Sequence, residues 1–126
     1  MERIVDVAVV GAGPAGSAAA IAAADRGLSV VGIDKATFPR DKTCGDGITA
    51  NALRLVERLG LSREAFAATD PQIVRETLLV APGGHRIVLP MPGDGIHGAI
   101  VERRTFDAAL VDLARARGAD IREDCA

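Results

Sequence analysis

Little in this chain belongs to the chemistry of metals, disulfides or nucleic acids. Its 126 residues include only two cysteines, Cys44 and Cys125, no Trp, no Tyr and three Phe. The two thiols lie far apart, form neither a CxxC pair nor a zinc spacing, and read as free thiols in a reducing compartment. So few aromatic rings leave no stacking platform for bases. A formal net charge of −2 excludes the basic footprint of a nucleic-acid binder. His85 and His97 stand in turn-like stretches with no ligand or triad partner at useful spacing, so both read as loop residues. No metal site is expected.

Long apolar runs are also missing. The alanine-rich stretch ending at Ala24 is too short and too weakly apolar to span a bilayer. Asp6, Gly11, Gly13 and Pro14 break up what would otherwise resemble a signal-peptide helix. The expectation is a cytoplasmic protein without a targeting or transmembrane segment. With 48% hydrophobic and 25% charged residues, the composition is that of an ordinary globular chain. Its length suits one modest domain.

The chain starts with IVDVAVV (4–10), mostly apolar and rich in β-branched residues, as a buried parallel strand requires. GAGPAG follows, then the helix-forming SAAAIAAADR, stopped at Gly27. LSVVGID (28–34) reads as a second buried strand. Strand, glycine turn, helix and strand within about 30 residues make a βαβ unit with a right-handed crossover.

Beyond it, TANALRLVERL (49–59) has helical apolar spacing through Leu55 and Leu59, and Gly60 ends it. Ser62 can cap a short turn. Residues 77–81 and 86–89 flank PGGH as a hairpin. Residues 99–101 read as a short strand. Residues 105–117 read as an amphipathic helix with Phe106, Leu110 and Leu113 on one face. A third parallel strand begins at Asp120.

The motif with chemistry in it is GxGxxG at Gly11, Gly13 and Gly16, set between a strand and a helix as a dinucleotide site requires. Gly11 allows the tight turn, Gly13 lets a diphosphate approach the backbone, and Gly16 lets helix and strand pack closely. Pro14 and Ala15 open the helix, whose free N–H groups and partial positive charge face the phosphates. Asp34, followed by Lys35, closes the second strand where a carboxylate can accept ribose hydroxyls. An acid there suits FAD or NAD and disfavours NADP; the motif does not choose between the first two.

FPRDKTCGDG (38–47) comes next, then IVERRTFDAALVDLARARGA (100–119). With GAGPAGSAAA and Asp34, these segments resemble the start of the geranylgeranyl reductase family, over nearly the whole chain. The PRxKxCG segment is the most specific part. The resemblance implies an α/β, Rossmann-like FAD-binding domain of the glutathione-reductase-like and p-hydroxybenzoate-hydroxylase-like type, with an inserted β-hairpin.

In that likeness residues 1–126 are the N-terminal part of an FAD/NAD(P)-binding domain whose second flavin motif and substrate domain are absent. Asp34 replaces the longer glutamate common in such flavoproteins. The resemblance implies that Cys44, Gly45 and Gly47 lie on the flavin side of the cofactor and that Arg103 contacts FAD near the diphosphate or ribityl chain. Arg40 and Lys42 could supply positive charge. Cys44 reads either as a small packing residue or as a thiol activated by Arg40 and Lys42 and opposed by Asp41 and Asp46. No catalytic residue is assigned.

The implied activity is reduction of C=C bonds in isoprenoid chains by reduced FAD, with NAD(P)H or another reductant as electron donor. The substrate would be a small molecule or an isoprenoid lipid, which leaves peripheral membrane contact open. Three other readings stand beside it. One is a flavin monooxygenase, hydroxylase or halogenase of the same fold; one is a pyridine-nucleotide dehydrogenase; the last is a non-catalytic dinucleotide-binding fragment.

Overall fold

The computed structural model describes residues 4–91, 93 and 95–125. It is an α/β structure built on a parallel sheet. β1 (Val7–Val10) leads through the glycine turn into α1 (Pro14–Ala24) and back to β2 (Val30–Ile33). β1 and β2 pair in parallel from Val7↔Val30 to Val10↔Ile33. Both strands are shorter than their apolar runs. Asp6 and Ser29 bond to each other just before the ladder begins, with the Ser29 Oγ donating to Asp6 Oδ2 at 2.6 Å.

The middle of the chain forms smaller units. β3 (Gly47–Thr49) runs into α2 (Ala50–Arg58), followed by α3 (Arg63–Ala67), β4 (Gln72–Ile73), the hairpin β5 (Glu76–Val80) and β6 (Arg86–Pro90), and β7 (Gly98–Ile100). β7 is the centre of an antiparallel sheet in the order β3-β7-β4. Thr49 caps α2 by accepting the Ala52 N–H at 3.3 Å, and Ser62 caps α3 by accepting the Ala65 N–H at 3.0 Å. The chain then forms α4 (Arg103–Ala116) and β8 (Asp120–Arg122), which joins β2 in parallel to give the order β1-β2-β8. Gly27, Gly60 and Gly118 take positive φ behind α1, α2 and α4, as helix stops do.

One expectation about α4 changes. The sequence suggests a single apolar face through Phe106, Leu110 and Leu113. In the structure the helix has two. Val111 and Ala114 join Ile21, Ala20, Val30 and Ile121 in a core between α1 and the parallel sheet. Phe106 and Leu110 join Leu61 and Val101 in a second core, against α2 and α3. Leu113 touches both clusters. A helix clamped on two sides uses a wider apolar arc than a surface helix. Each fully buried residue such as Ile21, Val111 or Leu110 contributes about 1.5–3 kcal/mol.

α2 differs in the same way. Leu55 is 57% exposed, and the helix packs through Val56 and Leu59. The hairpin stands apart: all residues of β6 are exposed, and Leu78, Leu79, Ile87 and Val88 each show about half their surface.

Candidate FAD site

The site is built where β1 ends. Gly11 takes φ +91°, a left-handed turn open to glycine at no steric cost. Its N–H donates to Ile33 O at 2.8 Å. Ala12 is held at both of its polar groups. Its N–H donates to Asp34 Oδ2 at 2.7 Å, and its carbonyl accepts the Ser17 hydroxyl at 3.0 Å. A Cβ on Gly16 would collide with the Gly11 carbonyl oxygen, so that position admits only glycine against this turn. Turn, strand and helix are thus locked as one unit.

α1 starts at Pro14, with Gly13 as an extended N-cap that provides no side-chain hydrogen bond. Pro14 has no N–H to lose, and the following N–H groups have no intrahelical acceptor. Ala15 is exposed beside them. A bound phosphate would find free donors and the positive end of the helix here.

Asp34 also ties the turn together. The sequence places its carboxylate on the ribose of the cofactor. In the structure the residue is buried, and both oxygens accept backbone N–H groups: Oδ2 from Ala12, Oδ1 from Ala36 at 2.9 Å. Burial pushes this carboxyl up. The N–H groups of Ala36 and Ala12, helped by Arg40 and Lys35, outweigh that and hold it below the usual carboxylate range. An aspartate side chain this short turns back on the adjoining turn, leaving only the second lone pair of each oxygen for a ligand. Lys35 is exposed at the strand end.

Two arginines converge on the same turn. Measured from where a Gly13 Cβ would lie, Arg40 Nη2 is 3.5 Å away and Arg103 Nη2 3.8 Å. Both arginines are tied to Asp107, whose side chain is fully buried. Arg103 makes a fork, Nε donating to Oδ1 at 2.7 Å and Nη2 to Oδ2 at 2.8 Å. Arg40 Nη1 lies 3.0 Å from Oδ2 as an ion pair outside hydrogen-bond geometry. Removing one partner from such a buried pair costs about 3–5 kcal/mol.

Arg103 is therefore a half-buried element of the site, whereas its neighbour Arg104 is exposed as expected. The guanidinium of Arg103 is held charged, first by the hydrogen bonds to Asp107. Sequence reasoning missed Ser17 and Asp107. The signal for Asp107 was its place one helical turn after Arg103, where oppositely charged side chains meet.

The cysteine loop comes up against this cluster. Cys44 is exposed and lines an apolar cavity of about 300 Å³ together with Pro14, Ile48, Arg103 and Phe106. The Asp46 N–H, and then the Arg103 guanidinium, lower its thiol pKa. The left-handed residue of this loop is not a glycine. Gly45 and Gly47 keep ordinary backbone angles, and Asp46 between them takes φ +54°. The Val101 N–H donates to Asp46 O at 2.9 Å, anchoring the loop beside the start of α4. Lys42 is exposed on the loop.

A larger hollow of about 800 Å³ lies beyond α2, lined by Leu61, Phe66, Ile73 and His97 among others. None of the turn residues reaches it. Among the described residues no group of three or more His, Cys, Asp or Glu could hold a metal, and no helix is long and apolar enough to cross a membrane.

A glycine turn pinned from both sides, a helix N-terminus and two guanidiniums form a cradle fitted to a dinucleotide diphosphate. A family model described as an FAD binding domain matches residues 4–125. The chain belongs to the FAD-binding domain family.

Among relatives of this FAD-binding chain, "Menaquinone reductase" of Mycolicibacterium smegmatis is 40% identical over 121 residues, covering 94% of this chain. "Digeranylgeranylglycerophospholipid reductase 2" of Methanopyrus kandleri is 41% identical over 118 residues, covering 92% of it. The chain spans only 29% and 27% of these relatives' lengths. Two solved structures are similar over nearly all of it. A geranylgeranyl bacteriochlorophyll reductase-like protein from Thermoplasma acidophilum matches with TM-score 0.77 and 30% identity, over 95% of this chain and 30% of that one. The myxobacterial chondrochloren halogenase matches with TM-score 0.83 and 28% identity, over 98% of this chain and 29% of that one. The expected likeness to geranylgeranyl reductases and the expected Rossmann-like fold are both present.

Proposed function

We propose that the protein carrying this chain is an FAD-dependent oxidoreductase that reduces C=C bonds in an isoprenoid chain, drawing electrons from NAD(P)H or another reductant. The observation that carries the reading is the cradle at Gly13, where two guanidiniums and the start of α1 face one small volume. Relatives whose names describe reductases, one of them of a digeranylgeranyl lipid, favour reduction over oxygenation.

Bound FAD would supply hydride chemistry that no side chain of this chain possesses. The chain's own share is binding and orientation. Gly11, Gly13, Pro14, Ala15 and Gly16 would form the phosphate floor. Arg40 and Arg103 would neutralise the diphosphate. Asp34 would hold the turn and offer its remaining lone pairs to the ribose. Cys44, Gly45 and Gly47 would face the flavin side, where the cavity is apolar. We place the protein in the cytoplasm, with peripheral contact wherever its substrate is a membrane lipid.

The test is anaerobic turnover. The purified protein should carry FAD and, once reduced, add two hydrogens per double bond to a geranylgeranyl lipid, read by mass. A colourless protein that takes up no FAD would overturn the reading. The halogenase likeness keeps a second reading, oxygen activation on the same cofactor. Oxygen consumption coupled to substrate hydroxylation or halogenation would select it.

A further inference from the structure

We propose that Asp107 is the positioning residue that fixes Arg40 and Arg103 as a matched pair over the glycine turn, so that the diphosphate of FAD is gripped by both. This rests on the FAD reading and deepens it. The two arginines come from distant parts of the chain, the loop after β2 and the first turn of α4. One fully buried carboxylate joins them. Oδ1 takes Arg103 Nε, and Oδ2 takes Arg103 Nη2 together with the ion pair to Arg40 Nη1. The ring of Phe38 lies 4.9 Å from the Arg40 guanidinium and restricts it from another side.

Arg103 Nε and Nη2 and Arg40 Nη1 face Asp107, and the Nη2 atoms of both arginines also lie within 3.8 Å of where a Gly13 Cβ would be. Arg40 Nη1 is buried against Asp107 Oδ2 without hydrogen-bond geometry, so the link from Arg40 to Asp107 is an ion pair. The cluster carries two positive charges and one negative, an excess of one positive. The start of α1 adds roughly half a charge. Together they oppose the negative charge of a diphosphate. A carboxylate next to an anion site repels the anion, so Asp107 earns its place only through geometry. It holds two flexible cations where they would otherwise cost rotamer entropy on binding.

This gives the proposal a sign that charge alone would reverse. If only net charge mattered, Asp107→Asn would tighten binding by removing a negative charge. If Asp107 positions the pair, Asp107→Asn weakens binding although the site becomes more positive.

The experiment titrates FAD by flavin fluorescence and ADP by calorimetry into the protein expressed from its own gene, with adenosine as the phosphate-free control. Asp107→Asn and Arg40→Gln should each weaken FAD and ADP by at least about tenfold and leave adenosine within twofold. The double variant should be little worse than the poorer single, because the residues act as a unit.

Equal or tighter FAD binding in Asp107→Asn overturns the proposal, as does Arg40→Gln binding within twofold of wild type. Should Asp107→Asn lose its cooperative melt, Arg40→Lys decides the matter: it keeps the charge and the Arg103–Asp107 fork but loses the held Nη2, so FAD binding within twofold of wild type overturns the proposal. A wild-type protein that binds neither FAD nor ADP overturns the FAD reading and this proposal together. Normal wild-type binding with unaffected variants overturns this proposal alone.

Discussion

Asp34 Oδ2 accepts the Ala12 N–H at 2.7 Å, so the end of β2 holds the glycine turn that ends β1. The bond crosses 22 residues of sequence and makes the turn depend on a carboxylate just beyond the next strand. A backbone N–H paired with a charged acceptor forms one of the stronger hydrogen bonds a protein makes.

Asp34→Asn should therefore destabilise the fold by about 1.5–3 kcal/mol, because an amide places a donor against one of two backbone N–H groups. Thermal melting without ligand measures it. The same bonds set a pH dependence. The folded carboxyl titrates below its unfolded value, so its stabilisation is present above roughly pH 4 and is lost as pH falls through the folded value. The melting temperature of Asp34→Asn should lack that part of the acid-side decline. An unchanged decline would assign it to other carboxylates.

Gly16→Ala and Gly13→Ala should separate folding from binding. At position 16 the methyl meets the backbone carbonyl of Gly11, which cannot yield without breaking the turn. A cost of about 1–3 kcal/mol or more and loss of FAD uptake are expected. At position 13 the methyl meets only guanidinium nitrogens, no nearer than 3.5 Å. Melting should fall by only about 1 kcal/mol, the N-cap preference of glycine over alanine. FAD affinity should fall about tenfold or more, an energy of about 1.4 kcal/mol, because the methyl would enter the space between the two guanidiniums that the proposal gives to the diphosphate. Paired melts and titrations would expose a failure of either half.

Cys44 should alkylate faster than Cys125. It is exposed, and the Asp46 N–H and the Arg103 guanidinium favour its thiolate. The pH midpoint of iodoacetamide labelling should lie below that of a free cysteine and rise in Arg103→Gln. Bound FAD should slow the reaction. A midpoint unmoved by Arg103→Gln would remove the arginine from the account.

Replacing residues 76–90 with a short glycine-rich link should leave FAD affinity within about twofold, the range expected for changes remote from a site. The hairpin packs mainly on itself and contributes no side chain to the cradle. The shortened protein should also aggregate less, because half-exposed Leu78, Leu79, Ile87 and Val88 are removed. Light scattering and flavin titration test the two statements separately.

The sequence by itself determined the local parts. β-branched runs, a glycine turn and an alanine-rich helix are short-range signals, so β1, α1, β2 and the phosphate turn were legible from residue order. So were the Thr77–Leu89 region as a hairpin, the Ser62 cap, and Asp120 as the start of a parallel strand. Only the tertiary structure decided what meets across distance. The spacing of α4 could not tell one packed face from two, because that depends on α2 and α3 lying against its far side. β3 and β4 are too short to show a period; they are strands only because β7 runs between them. Asp34 was read as a ribose ligand, and the fold adds bonds to the N–H groups of Ala12 and Ala36 that residue order did not show. Asp107 drew no reading from the sequence, and the fold buries it between Arg40 and Arg103. A sequence records which charges exist. Burial and neighbours decide which of them must pair, and here the pairing sets two arginines on one glycine.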